Sequence, residues 1–202
     1  MAQATQVRKA KHDDQAVVTR TLASAFAADP VFSWMIGEVK DPEKRITPMF
    51  HSMTKVYLGK PDHEMHVSED GNGVAIWFPI GKWKVSNADL ARTTPGIIRT
   101  FGRRTPKIVK LINAVEKVHP SEPHYYLEFL GTHRSVQGKG VGTAVISEML
   151  ERCDREGVAA YLENSNPRNT PFYARHGFEE RDFIPLPDGA PPMLAMWREP
   201  RG

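Results

Sequence analysis

The stretch from His124 to Glu163 constrains the fold of this chain more than any other part of it. His124–Thr132 is an apolar and aromatic run of strand character. A loop carrying Gly138, Gly140 and Gly142 follows. Gly140–Arg155 then sets Val141, Val145, Ile146, Met149, Leu150 and Cys153 at helical spacing, and Gly157 supplies the residue that commonly ends a helix. Ala159–Glu163 is again a strand. Strand, glycine loop, helix and strand in direct succession imply an α/β fold. A glycine-rich turn in that position also aims backbone N–H groups at whatever lies above the helix N-terminus, where partial positive charge favours phosphate.

Three phosphate-loop patterns compete for that turn. A P-loop ends in Gly-Lys-Ser/Thr, with a glycine five positions before that last glycine. Here His133 would hold the leading glycine's place and Gly140 the hydroxyl's, so that pattern fails. A dinucleotide fingerprint fits Gly138 and Gly140 but finds Thr143 at its third glycine, and too little chain follows to build a doubly wound sheet. The third pattern is Gln/Arg-x-x-Gly-x-Gly/Ala, met by Gln137, Gly140 and Gly142. A glycine turn that merely packs helix on strand is the plain alternative.

The remainder reads as one domain with no repeat and no linker. Thr5–Lys9 has strand character. Gln15–Phe26 carries a helical stripe behind Asp13 and Asp14, and Asp29-Pro30 stops it ahead of a short apolar segment, Val31–Ile36. Asp41 as N-cap with Pro42 at the first helical position starts another helix, burying Ile46, Met49, Phe50, Met53, Val56, Tyr57 and Leu58. His63–Ser68 and Gly73–Phe78 form a hairpin about Asp70-Gly71-Asn72-Gly73. Pro79–Pro120 reads as two or three short helices broken at Pro95, Gly102 and Pro106. Its Arg99, Arg103, Arg104, Lys107 and Lys110 suit either a solvated face or a lid near an anion. Asn169–His176 is a short helix, and Phe178–Ile184 and Met193–Arg198 close the sheet.

Composition excludes several classes. The 27 basic residues are interleaved with 24 acidic ones for a net charge of +3, without the dense basic patch of a nucleic-acid binder. No apolar run approaches the roughly 20 residues that span a bilayer, and the first residues lack a signal-peptide core. A single cysteine, Cys153, leaves no internal disulfide and points to a reducing cytoplasm. No metal-ligand cluster stands out.

A second segment completes the pattern. Asn166, Tyr173 and Gly177-Phe178 stand about 30 residues after the glycine loop, in the order and spacing found near the end of many GNAT N-acetyltransferases. With Gln137-Gly-Lys-Gly-Val-Gly142, the chain resembles that superfamily. Pro-Arg-Asn-x-Pro-Phe-Tyr-x-Arg-x-Gly-Phe178, Gln137–Gly140 and the Val7–Phe26 region are similar to the puromycin N-acetyltransferases. Two residues depart from that group: Asp29 replaces a tyrosine, and Glu128 replaces an apolar residue in the strand before the loop.

The resemblance implies a single GNAT-type domain with a mixed, mostly antiparallel sheet of six or seven strands flanked by helices, the 79–120 region being an insertion or lid. It implies direct acetyl transfer from acetyl-CoA to an amine, in a ternary complex. The expected acceptor is a small-molecule primary amine, aminonucleoside-like or antibiotic-like, acted on by a monomer or homodimer. A protein acetyltransferase and an idle acyl-CoA-binding module are the alternatives. Backbone N–H groups of Gln137, Gly138, Lys139, Gly140, Val141, Gly142 and Thr143 would hold the pyrophosphate, and Leu130, Gly131 and Thr132 would pair with the pantetheine arm. Lys139 and Arg134 would neutralise phosphate or simply be solvated. Tyr173, a phenol protonated at neutral pH, is the expected general acid. Asn169 and Asn166 fit two roles, cofactor contact or helix cap. Glu128, expected on one strand face with Leu130 and Thr132, is a base or a member of an ion pair. Asp29, His124 and His133 are weaker candidates for the base, and Glu163 is a candidate for binding a cationic acceptor. Cys153, mid-helix on the apolar side, reads as core rather than nucleophile.

Overall fold

The computed structural model describes residues 5–60 and 62–202, and one seven-stranded sheet organises them. In chain order the elements are β1 (Val7–Lys9), α1 (Gln15–Phe26), α2 (Pro30–Ile36), α3 (Pro42–Leu58), β2 (Glu64–Ser68), β3 (Gly73–Phe78) and α4 (Asn87–Phe101). Then follow α5 (Thr105–Val118), β4 (His124–Thr132), α6 (Val141–Glu156), β5 (Ala159–Asn164), α7 (Thr170–Arg175), β6 (Glu179–Phe183) and β7 (Leu194–Arg198). The strand order is β1-β2-β3-β4-β5-β7-β6, and only β4 and β5 run parallel. Their crossover is α6, as a parallel pair requires.

Helices cover both faces, so the central strand β3 is buried at every position. Val74, Ile76 and Phe78 join Leu22, Ile46 and Phe50 on the α1–α3 face, while Ala75 and Trp77 join Val145, Ile146 and Met149 under α6. Phe26, Phe32, Phe50 and Phe129 meet ring to ring where α1, α2, α3 and β4 converge, with centroids 5.0 Å apart for Phe26 and Phe32 and 5.4 Å for Phe50 and Phe129. Truncating a ring as enclosed as Phe50 would cost about 3–5 kcal/mol.

Three segments differ from the sequence-based expectation. Val31–Ile36, expected only as a short apolar segment, is helical: Asp29 Oδ1 accepts from the backbone N–H of Val31 and of Phe32, at 2.9 and 3.0 Å, and Pro30 pre-sets the first turn. Helix α4 runs straight through Pro95 instead of breaking there. Packing overrides the local signal, because α4 is pressed on α3 at Gly96. A Cβ at that position would lie 2.1 Å from Ser52 Oγ and 2.5 Å from the Pro48 carbonyl, so only glycine admits the contact. The third is a β-bulge. Ile76 pairs with Phe129 but Trp77 pairs with Leu127, which leaves Glu128 as the extra residue in β4.

Candidate active site

Strands β4 and β5 are neighbours only at their beginnings. Their register covers His124↔Ala159, Tyr125↔Ala160 and Tyr126↔Tyr161, after which the two diverge, although β4 continues to Thr132 and β5 to Asn164. The edge of β4 facing β5 therefore has no strand partner from Leu127 onward, while its other edge stays paired to β3. The opening lies at the C-terminal ends of both strands, beside the start of α6.

The glycine loop supplies donors to that opening. Gly138 and Gly140 adopt φ of 74° and 84°, backbone that L side chains rarely take. A Cβ on either would meet nothing within 4 Å, so the loop presents main chain to open space. Gly140 is the N-cap of α6 and no side chain caps that helix. The first N–H groups of a helix have no intrahelical acceptor, so Val141, Gly142 and Thr143 keep free donors at the positive end of the helix dipole. The side-chain cations are engaged elsewhere: Lys139 Nζ donates to the Ser135 carbonyl at 3.0 Å, and Arg134 lies 3.6 Å from Glu43. A diphosphate fits this cradle through backbone donors.

Polar groups collect on the opposite side of the sheet. The bulge turns Glu128 away from Leu130, which packs under α6, and from Thr132, whose methyl lies beside Gly142. The expected shared face is thus corrected, because one extra residue shifts the alternation. Glu128 points at α3, where Tyr57 Oη donates to its Oε1 at 3.2 Å and its Oε2 is buried without a partner. Burial chiefly, with the charge of Glu163, pushes the Glu128 carboxyl from 4.5 up to about 8, against the opposing Tyr57 hydrogen bond. Glu163 sits on β5 across the opening. Its Oε2 accepts from Tyr126, and its Oε1 lacks a hydrogen bond but faces His119 Nδ1 at 3.4 Å. The hydroxyl of Tyr161 is also buried and unpartnered. Trp83 closes the cluster, stacked on His119 with centroids 3.8 Å apart.

The remaining expected residues divide. Tyr173 lies on α7 against Phe172 and Phe178, and its hydroxyl makes no hydrogen bond among the described residues; burial, then the charge of Asp29, raise it above the usual phenol range. Asn166 caps the turn after β5, accepting from Arg168 N at 3.2 Å, whereas Asn169 makes no side-chain cap and stays exposed. Gly131 is buried against Ala25 and Leu22, so its lack of a side chain also serves the seating of α1. Gln137 reaches back to the Thr132 carbonyl at 3.4 Å. Asp29 is buried, caps α2 and accepts from Ser165 at 2.7 Å. His133 closes a turn onto Ser135, and His124 belongs to the His119 cluster. Cys153 is fully buried and burial pushes its thiol to about 12, the state of an inert core cysteine. Sequence reasoning missed Tyr57, Trp83, His119, Tyr126, Tyr161 and Ser165. Tyr57 shows only as one more apolar position on a helix stripe. Among the described residues no helix is long and apolar enough to cross a membrane, and no group of three or more His, Cys, Asp or Glu side chains forms a metal site.

The comparisons agree with this geometry. The model of the acetyltransferase (GNAT) family matches residues 84–178. An uncharacterized N-acetyltransferase of Schizosaccharomyces pombe is 25% identical, over 96% of this chain and 83% of its own length. The crystal structure of histone acetyltransferase HPA2 and related acetyltransferase from Corynebacterium glutamicum is 27% identical, with a TM-score of 0.73, 99% of this chain and 98% of that one being covered. PaiA N-acetyltransferase of Thermoplasma acidophilum, solved in complex with coenzyme A, shares the fold at a TM-score of 0.56 and 13% identity, covering 98% of this chain and 99% of its own. Family match over residues 84–178, relatives, sheet order and cradle converge on one conclusion: the chain is an acetyltransferase similar to the GNAT N-acetyltransferases, with acetyl-CoA as its co-substrate.

Proposed function

We propose that the enzyme acetylates the primary amine of a small cationic molecule by direct transfer, with Glu128 as base and Tyr173 as acid. Acetyl-CoA supplies the activated acyl group. The backbone donors of Gln137 to Thr143 hold its pyrophosphate, and Asn166 and Asn169 flank the bound cofactor. Leu130, Gly131 and Thr132 offer the free edge of β4 to its pantetheine amides and polarise the thioester carbonyl.

One observation carries the reading: a carboxylate with a free, buried oxygen stands at the bulge of the strand that borders the opening. An amine arrives at neutral pH as an ammonium, which cannot attack until it sheds a proton. Glu128, held near pH 8, matches that task, since a base is most effective when its pKa lies near the working pH. Buried acceptors without donors are costly, and the ammonium brings the donor that Glu128 Oε2 lacks. Tyr173, kept protonated, returns a proton to the departing sulfur. The buried, protonated state of Cys153 supports transfer without an acyl-enzyme. The 79–120 segment covers the acceptor side through Trp83 and His119, which favours a small acceptor over a polypeptide laid in a groove. The motif likeness to puromycin acetyltransferases puts aminonucleosides first among acceptors to try.

The test is CoA release over a panel of amines, puromycin included, with wild type and Glu128→Gln. The expected result is turnover of one or more small primary amines that falls about 10²–10⁴-fold in the variant. Turnover confined to peptides, or unchanged in Glu128→Gln, would overturn the reading.

A further inference from the structure

Beside Glu128 runs a chain of side chains whose protons can be counted. His124 Nδ1 lies 2.7 Å from the Glu122 carbonyl oxygen. A carbonyl only accepts, so this nitrogen carries the hydrogen. Nε2 of a neutral His124 is then an acceptor, and His119 Nε2, at 3.0 Å, must donate to it. That leaves the lone pair of a neutral His119 on Nδ1, which lies 3.4 Å from Glu163 Oε1. Turning either ring over would put carbon where both of its contacts need nitrogen. Glu163 Oε2 is already engaged by Tyr126. A lone pair facing a carboxylate oxygen repels it unless a proton lies between them. One proton shared between the two atoms would relieve that contact, held by side chains only 7% and 1% exposed.

We propose that His119 is a positioning residue for the transfer: by sharing a proton with Glu163 it screens the Glu163 charge from Glu128, and so sets the pH at which Glu128 becomes a base. The inference rests on Glu128 being that base. No bond other than N–H or O–H changes, since the proton moves only between Nδ1 and Oε1. His119 follows the last residue of α5, so the helical segment before β4 contributes to the chemistry. The other groups facing the pair and Glu128 are Tyr57 from α3, Tyr126 and His124 from β4, and Tyr161 from β5. At the rim, Arg181 of β6 lies 3.7 Å from the Glu122 carboxylate. Asp89 acts on Tyr57 at longer range. Of these, only His119 faces the free oxygen of Glu163 with a titratable nitrogen.

Two substitutions should act with opposite sign on the acidic limb of the kcat–pH profile. Glu163→Gln removes the part of the negative charge that His119 leaves unscreened, Glu128 ionises more readily, and the limb moves to lower pH. His119→Phe leaves the Glu163 charge unscreened, and the limb moves to higher pH. Each shift is expected to be about one pH unit, the scale of one charge at close range in a protein interior. The double variant should match Glu163→Gln alone, because His119 acts only through Glu163. Should His119→Phe not fold, His119→Gln, which keeps amide donors but holds no mobile proton, should give a smaller upward shift. Shifts of the same sign, additive shifts in the double variant, or no shift in His119→Gln would overturn the proposal. Glu128→Gln separates this failure from that of the assigned base. If the limb persists without Glu128, the base is wrong; if it vanishes there but the two shifts share a sign, only the role of His119 falls.

Discussion

The two faces of the sheet solve different problems with different materials. Under α6 the layer is apolar, and the cradle beside it is made of main chain: glycines at positive φ, an uncapped helix start and an unpaired strand edge. On the α1–α3 face, side chains from α3, β4, β5 and the end of α5 converge on two carboxylates within an otherwise apolar layer. Backbone recognition needs little from the sequence beyond glycine, so it suits a co-substrate. Side-chain recognition can be rebuilt one residue at a time, and it suits the acceptor. The cradle should therefore answer to φ and shape, and the acceptor side to charge and pH.

Four variants can break or sharpen that contrast. The largest effect is expected on the acceptor side, where Glu128→Gln should lower kcat about 10²–10⁴-fold while the calorimetric affinity for acetyl-CoA stays unchanged. The same variant should alter stability with a definite sign. Unfolded Glu128 ionises near 4.5 and folded Glu128 near 8, so the folded state loses stability as pH rises between those values and gains none back above them. The Tm of Glu128→Gln should equal that of wild type at pH 4 and exceed it at pH 9; a variant less stable at pH 9 would show that the carboxylate is well solvated or paired. Next is Gly140→Val. A β-branched residue at a φ of 84° is strained by about 1–2 kcal/mol and fills the cradle, so Kd for acetyl-CoA should rise about tenfold or more, with kcat at saturation little changed. Tyr173→Phe should lower kcat about tenfold and leave KM for acetyl-CoA alone; the reverse would make Tyr173 a binding residue. The smallest effect is expected for Trp83→Ala, a few-fold rise in KM for the acceptor and none for acetyl-CoA, since an aromatic stack contributes about 0.5–1.5 kcal/mol.

The same contrast explains what the sequence revealed. Helix α6 was legible residue by residue, because its inward positions and its Gly157 end are local signals. The hairpin between β2 and β3 and the Asp41-Pro42 start of α3 were legible for the same reason. The face of Glu128 was not, since alternation assumes a regular strand and the bulge is fixed by pairing with β3, 50 residues earlier in numbering. Helix α4 was divided wrongly because Pro95 is a strong local breaker and the α3 contact that overrides it is remote. His119 and Trp83 carry no local mark at all. Their meeting with Glu163 is a product of the tertiary fold, and only the motif likeness could have directed attention to that side of the chain.

The unfinished start of α6 has a thermodynamic corollary. A helix whose first donors wait for a ligand is completed only when that ligand is present, so a thioester bound there as proposed would act as a folding partner as much as a reagent. At one hundred times its dissociation constant a ligand of this kind adds about 2.7 kcal/mol to the native state. Abundance of the protein in a cell would then follow the supply of its own reagent, with the scarcest supply leaving the most chain open to proteolysis.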